Sequence, residues 1–170
     1  EMKRRIEREV TRKGMKANIK LGPGGIREGE FFGQIFQLIR GGVHVDYQKR
    51  EILVILQTLA EENNIPADVK DELTAAYVFL RNVENRLQME EDRQTHRLPE
   101  DPTDLCRLAF SMGFKDEECF FKSLDGHRKN VHQHFRALLA RDEAEDCTDD
   151  QTRSIHAVWN NLSNTEINIE

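Results

Sequence analysis

The chain is short of cysteine, of basic excess and of long apolar runs. Three cysteines stand in 170 residues, Cys106, Cys119 and Cys147, with no Cys-x-x-Cys among them. An odd, widely spaced set gives no disulfide framework and points to reduced thiols in a cytoplasmic setting. No stretch approaches the roughly 20 apolar residues needed to cross a bilayer, so no membrane partner is expected. Acids outnumber bases, 31 to 25, for a net charge of −6. That balance argues against a surface-wide grip on nucleic acid, and no nucleic-acid partner is expected. Internal repeats and low-complexity tracts are also missing. Glu1-Met2-Lys3-Arg4-Arg5 has no apolar core behind it, so it does not read as a signal peptide. Glu1 ahead of Met2 reads as an internal cut in a longer chain.

What remains is a chain long enough for one domain with a sizeable core, or one domain plus a tail. Its apolar share of 38% against 33% charged suits slender amphipathic helices better than a thick sheet core. The organising stretch is residues 18–37, NIKLGPGGIREGEFFGQIFQ. A short alternation in residues 17–21 reads as a strand. Gly22-Pro23-Gly24-Gly25 cannot continue a regular element and reads as a turn that leaves backbone N–H groups exposed. Two carboxylates at i, i+2 follow, Glu28 and Glu30, then an apolar run at helical spacing. Strand, glycine loop, acid pair and helix in that order can place main-chain amides, a lysine and two carboxylates around a phosphate and its divalent metal.

Downstream the chain reads as helices. Residues 1–13 suggest a short solvated helix ending at Gly14. A helix is expected over 30–40, with Phe32, Ile35, Phe36 and Ile39 as its stripe and Gly41-Gly42 as its stop. Asp46 can cap a second, with Ile52, Ile55, Leu56 and Leu59 on one face. The longest runs over 66–91 from Pro66, with Leu73, Tyr77, Leu80, Val83 (or Glu84) and Leu87 aligned. A polar loop with Pro99 and Pro102 follows. A short helix holds Leu105, Leu108, Ala109 and Met112, capped by Thr103 or its neighbour. Residues 116–141 make a long helix with Phe120, Leu124, Val131, Phe135 and Leu138 inward, and Gly126 as a place for a break or bend. Six acids in 142–150 suggest a solvated linker. A terminal helix over 149–162 offers Ile155, Val158, Trp159 and Leu162 for docking. His127, His132 and His134 lie on the long helix, but i, i+2 positions do not share a face, which speaks against zinc. Short connections imply a helical bundle.

KLGPGGIREGEF resembles the bifunctional glutamine synthetase adenylyltransferase/adenylyl-removing enzymes. The likeness continues through Phe36-Gln37-Leu38-Ile39-Arg40-Gly41-Gly42, residues 77–88 (YVFLRNVENRLQ) and Gln94-Thr95-His96-Arg97-Leu98-Pro99. It covers about residues 16–140. It implies the end of an N-terminal nucleotidyltransferase domain of polymerase-beta-like fold and the helical domain after it. The implied activity is addition of AMP from ATP to a tyrosine of glutamine synthetase, or its phosphorolytic removal as ADP. The implied cofactor is Mg²⁺, and the partners are glutamine synthetase and the PII signal protein. The glycine loop is more similar to the removing copy, since the other usually has Asp where Glu28 stands. A uridylyltransferase of PII fits this loop less well. The chain departs from the pattern at Gly29, where an apolar β-branched residue is usual. The upstream Gly-Gly and Ser-Asp-x-Asp stretches are absent, so the chain holds at most part of a site.

On this reading Glu28 and Glu30 are the catalytic and metal-binding candidates. If the strand continues through residues 26–30 both point to one face; if a helix starts at Glu28 they diverge, and one becomes a helix-start acid. Lys20, Gly24, Gly25 and Arg27 are the phosphate-binding candidates. Gln88, Asp92, Gln94, Thr95 and His96 form a polar group that reads either as a solvated helix end or as a cleft or partner contact. The expected architecture is mainly α: residues 1–29 as the edge of a nucleotidyltransferase core, 30–141 as a helical bundle, 142–170 as acidic linker and terminal helix. The rival reading is a noncatalytic helical module that binds glutamine synthetase or PII.

Overall fold

The computed structural model describes residues 17–91 and 95–144. The helix expected over 1–13, the acidic tail beyond residue 144, the terminal helix, Asp92 and Gln94 lie outside them. The described residues hold five α-helices: α1 (Ile26–Arg40), α2 (Ile52–Glu61), α3 (Ala67–Glu91), α4 (Pro102–Ser111) and α5 (Glu117–Ala144), with one 3-10 turn, Val45–Gln48, between α1 and α2. The mainly α expectation is met.

The helix boundaries follow local chemistry. α1 begins earlier than its apolar stripe suggests, directly after Gly25. Gly25 has no side chain to cap with, so Glu28 in the first turn reaches back and accepts from the Gly24 N–H at 2.9 Å. Asp46 does not cap α2; it lies in the 3-10 turn that buries Tyr47, and α2 starts later from Glu51. α4 is capped by Asp101, whose carboxylate accepts from the Thr103 and Asp104 N–H groups, with Pro102 at the first helical position. Those bonds hold the Asp101 carboxyl below its ordinary range. Asp116 does the same for α5 through the Cys119 N–H. α5 runs unbroken through Gly126.

The strand expected over 17–21 does not form. Asn18 and Arg97 make an isolated antiparallel bridge instead. The alternation misleads, because Ile19 is 0% exposed and Leu21 is 42% exposed. In a strand those two would share a face.

Two apolar clusters make the core. One gathers Phe32, Ile35, Tyr47, Ile55, Leu59, Leu73, Val131 and Phe135 from α1, the 3-10 turn, α2, α3 and α5. The other gathers Ile19, Ile26, Leu80, Val83, Leu87, Leu108, Phe120 and Leu124 from the glycine-loop segment, α1, α3, α4 and α5. The glycine loop is therefore seated on the bundle, and the boundary between residues 29 and 30 falls inside α1. Phe79, Phe114 and Phe120 cluster beside His127, whose ring centroid is 4.6 Å from that of Phe79. Burial there pushes the imidazole pKa down. Cys106 and Cys119 are free, and nearby carboxylates and desolvation push both thiols up, away from reactive thiolate.

Candidate functional site

The glycine loop turns its amides inward. Lys20 N–H and Leu21 N–H donate to Asn18 Oδ1 at 2.9 and 2.8 Å. Gly22 donates to the Asn18 carbonyl, Gly25 to Gly22, Ile26 to Ile19, Arg27 to Lys20 and Glu28 to Gly25. Gly24 donates to Glu28. The glycine-rich composition predicts a turn that bares these groups. The chain instead closes them on one another, as buried backbone must be.

The glycines also have a packing reason. Gly24 has φ +68, and a Cβ there would fall 2.7 Å from Arg128 Cα and closer still to the Arg128 carbonyl. A Cβ on Gly25 would meet the carbonyls of Ile19, Lys20 and Gly22. The close approach that glycine permits is thus taken by the backbone of α5 and by the loop itself. Arg128 adds a bond from Nε to the Pro23 carbonyl at 3.0 Å. Its guanidinium pKa is lowered by burial, against the opposing pull of Asp125 and Glu28.

The two acids part company. Glu28 sits beside Gly24 and His132, with His132 Nδ1 3.0 Å from Oε2. Glu30 lies across from α3, where the Tyr77 hydroxyl donates to Oε1 at 3.4 Å. Of the two geometries left open by sequence, the helical one holds, and i, i+2 positions on a helix face different neighbours. Burial and then the charge of Glu30 push the Tyr77 pKa up. Glu30 and Tyr77 line an open groove of about 410 Å³ with Gln34, Gln37, Arg50, Glu51, Ile52 and Leu53. Among the described residues no group of three or more His, Cys, Asp or Glu could hold a metal ion.

The glycine loop also meets the polar loop. Ile19 N–H donates to the His96 carbonyl at 2.8 Å, and Leu98 N–H to the Ala17 carbonyl at 2.9 Å. Thr95 Oγ1 accepts from the Arg97 N–H at 3.4 Å. Beneath this junction is Glu84, a carboxylate only 2% exposed. Arg81 donates to its Oε2. Lys20 Nζ is 3.9 Å and His96 Nδ1 3.0 Å from its Oε1. So Lys20 and His96 converge, as does the loop that carries Thr95. Gln88 is half-buried one turn beyond Glu84 on α3. Arg27 stands apart, its guanidinium 5.1 Å from the Phe31 ring centroid.

Sequence reasoning does not single out Arg81, Glu84, Arg128 or His132 as site residues. For Glu84 a signal exists: a carboxylate seven residues after Tyr77 and three before Leu87 sits on an apolar stripe, where an acid needs a partner. For Arg128 and His132 there is none, because their contacts lie more than a hundred residues back along the chain. His132 and His134 do separate as their spacing requires; His134 Nε2 meets Glu72 on α3 at 2.6 Å.

Bundle and corner together define a helical module whose N-terminal edge carries a braced glycine loop. A family profile described as GlnD PII-uridylyltransferase matches residues 1–139, and the chain belongs to that family. It is 52% identical over 160 residues to the bifunctional glutamine synthetase adenylyltransferase/adenylyl-removing enzyme of Nitrosococcus oceani, covering 93% of this chain and 16% of that protein. The corresponding enzyme of Thioalkalivibrio sulfidiphilus is 49% identical over 145 residues, 85% of this chain and 15% of its own length. That of Pseudomonas aeruginosa is 43% identical over 158 residues, 93% and 16%. The chain thus spans about one sixth of these relatives (16%). A match over 93% of the chain also extends further than residues 16–140.

Proposed function

We propose that this chain is part of an enzyme that adds AMP to glutamine synthetase, or removes it by phosphorolysis, in control of nitrogen assimilation. Identity of 43–52% to enzymes bearing that name, over nearly the whole chain, carries the reading. On it the small substrates are ATP, ADP and phosphate, the protein partners are glutamine synthetase and PII, and the setting is the cytoplasm. Residues 1–29 are then the edge of the nucleotidyltransferase core and 30–141 the helical domain that braces it.

Mg²⁺ does not fit the described residues alone. Glu28 is beside Gly24 and His132, while Glu30 faces Tyr77, so the two acids have different neighbours. The metal of the reaction belongs with acids upstream. Glu30 is the acid we assign to the cleft, with Lys20 and Arg27 as positive side chains toward phosphate. Glu28, Gly24 and Gly25 shape the loop. Thr95 and Gln88 are the remaining candidates for cleft or partner contact.

The purified chain should show no turnover on glutamine synthetase in either direction; measurable turnover would refute the division of labour. In the full-length enzyme, Glu30→Gln should lower AMP removal by about tenfold or more with the fold intact. Unchanged removal would favour the second reading, a noncatalytic module docking glutamine synthetase or PII. That reading draws on exposed apolar side chains around the 3-10 turn, with Val43 82% and Val45 75% exposed. Titration of the chain with each protein tests it.

A further inference from the structure

Glu84 is the buried acid in a core otherwise apolar among the described buried residues. A carboxylate in such a place must be paired and hydrogen-bonded. Its pairing is incomplete. Arg81 satisfies Oε2, but Oε1, though within ion-pair range of Lys20 and His96 Nδ1, completes no well-aligned hydrogen bond among the described residues, nor does the buried His96 Nδ1. An acid kept buried on these terms calls for a reason other than packing. The bases around it supply one: Lys20 comes from the glycine loop, His96 from the polar loop and Arg81 from α3.

We infer that Glu84 is a positioning residue: it draws Lys20 and His96 to one point on α3, so that the glycine loop and the polar loop present a single rim. The two backbone bonds, Ile19 to His96 and Leu98 to Ala17, close the rim above it. They join only a few residues on each side, too short a pairing to hold without support. Glu84 touches no reacting atom itself; it acts through the lysine and through loop placement. The functional half of this inference rests on the reading that the glycine loop borders a nucleotidyl-transfer cleft.

The test uses Glu84→Gln, which keeps volume and removes charge. In the 170-residue chain, amide hydrogen exchange at Ile19 and Leu98 should rise by at least about tenfold, while Leu59, Val131 and the α5-clamped Gly24 stay unchanged. Unchanged exchange at Ile19 and Leu98, or a rise throughout the chain, would overturn the inference. If that variant does not fold, His96→Asn removes only the polar-loop base and should raise the same two amides; no rise overturns the inference equally. In the full-length enzyme, Glu84→Gln should lower kcat about tenfold with KM for nucleotide nearly unchanged, and Glu84→Asp should restore most of the loss. A loss confined to KM, or no rescue by Asp, refutes positioning. Failure of the exchange test leaves the transferase reading standing. An enzyme with no AMP transfer at all sinks that reading whatever the exchange shows.

Discussion

Replacing Gly24 by alanine should be among the most damaging single-methyl additions in this molecule. Two separate penalties meet there. The backbone sits at φ +68, where an L side chain costs about 1–2 kcal/mol. The new Cβ would also stand 2.7 Å from Arg128 Cα and nearer its carbonyl. That obstacle is helix backbone and cannot swing aside as a side chain would. Overpacking of this kind costs about 1–3 kcal/mol. Together they come to about 2–5 kcal/mol, or on the order of 10 °C in Tm for a chain of this size. Two other glycines separate the contributions. Gly113 also has positive φ, +83, but open space around it, so Gly113→Ala should cost only the conformational part, about 1–2 kcal/mol. Gly126 is helical with nothing within 4 Å, so Gly126→Ala should stabilise by about 1 kcal/mol. Urea unfolding of the three variants, followed by circular dichroism, measures all of this. If Gly24→Ala costs no more than Gly113→Ala, the loop is not pressed against α5, and the account of the glycines fails.

Other expectations concern the bundle. Burial lowers the His127 pKa, while the unfolded chain protonates it near its ordinary value of about 6.5. Below that pH the unfolded state binds the extra proton, so stability falls as pH drops through that ordinary value. His127→Gln should flatten that slope in urea titrations; an equal slope would place the imidazole in water. Tyr47→Phe removes the hydroxyl that donates to Glu62 at 2.6 Å and accepts from Asn64 at 3.0 Å. The loss should be about 1 kcal/mol in the same assay, and no loss would mean that the hydroxyl bonds are matched by water.

The helices are readable from sequence because each buries a stripe. Leu73, Leu80, Val83 and Leu87 recur at helical spacing and all are buried. The caps are poorly readable: Thr103 or its neighbour is expected to open α4, but Asp101 ahead of Pro102 does so and Thr103 lies inside the helix, and Asp46 stands too far from the apolar run it is expected to open. The glycine loop can be located, but its use cannot. Nothing in Gly22-Pro23-Gly24-Gly25 tells whether a phosphate or a protein backbone comes close, because the visitor, Arg128, is supplied from the far end of the fold. The acid pair is undecided for a simpler reason. Whether i, i+2 converges depends on whether the chain is extended or helical there, and α1 starting at Ile26 decides it. Glu84 is hidden by its own stripe, where an apolar neighbour at position 83 fits equally well.

Both α3 and α5 thread the two apolar clusters. Leu73 and Val131 belong to one, Leu87 and Phe120 to the other. At 28 residues, α5 is a rod of about 42 Å that walls both compartments at once. Neither compartment can melt while its companion stays sealed, since opening either strips the shared rod. The molecule should therefore come apart in a single cooperative step, and a nick midway along α5 would liberate no surviving half.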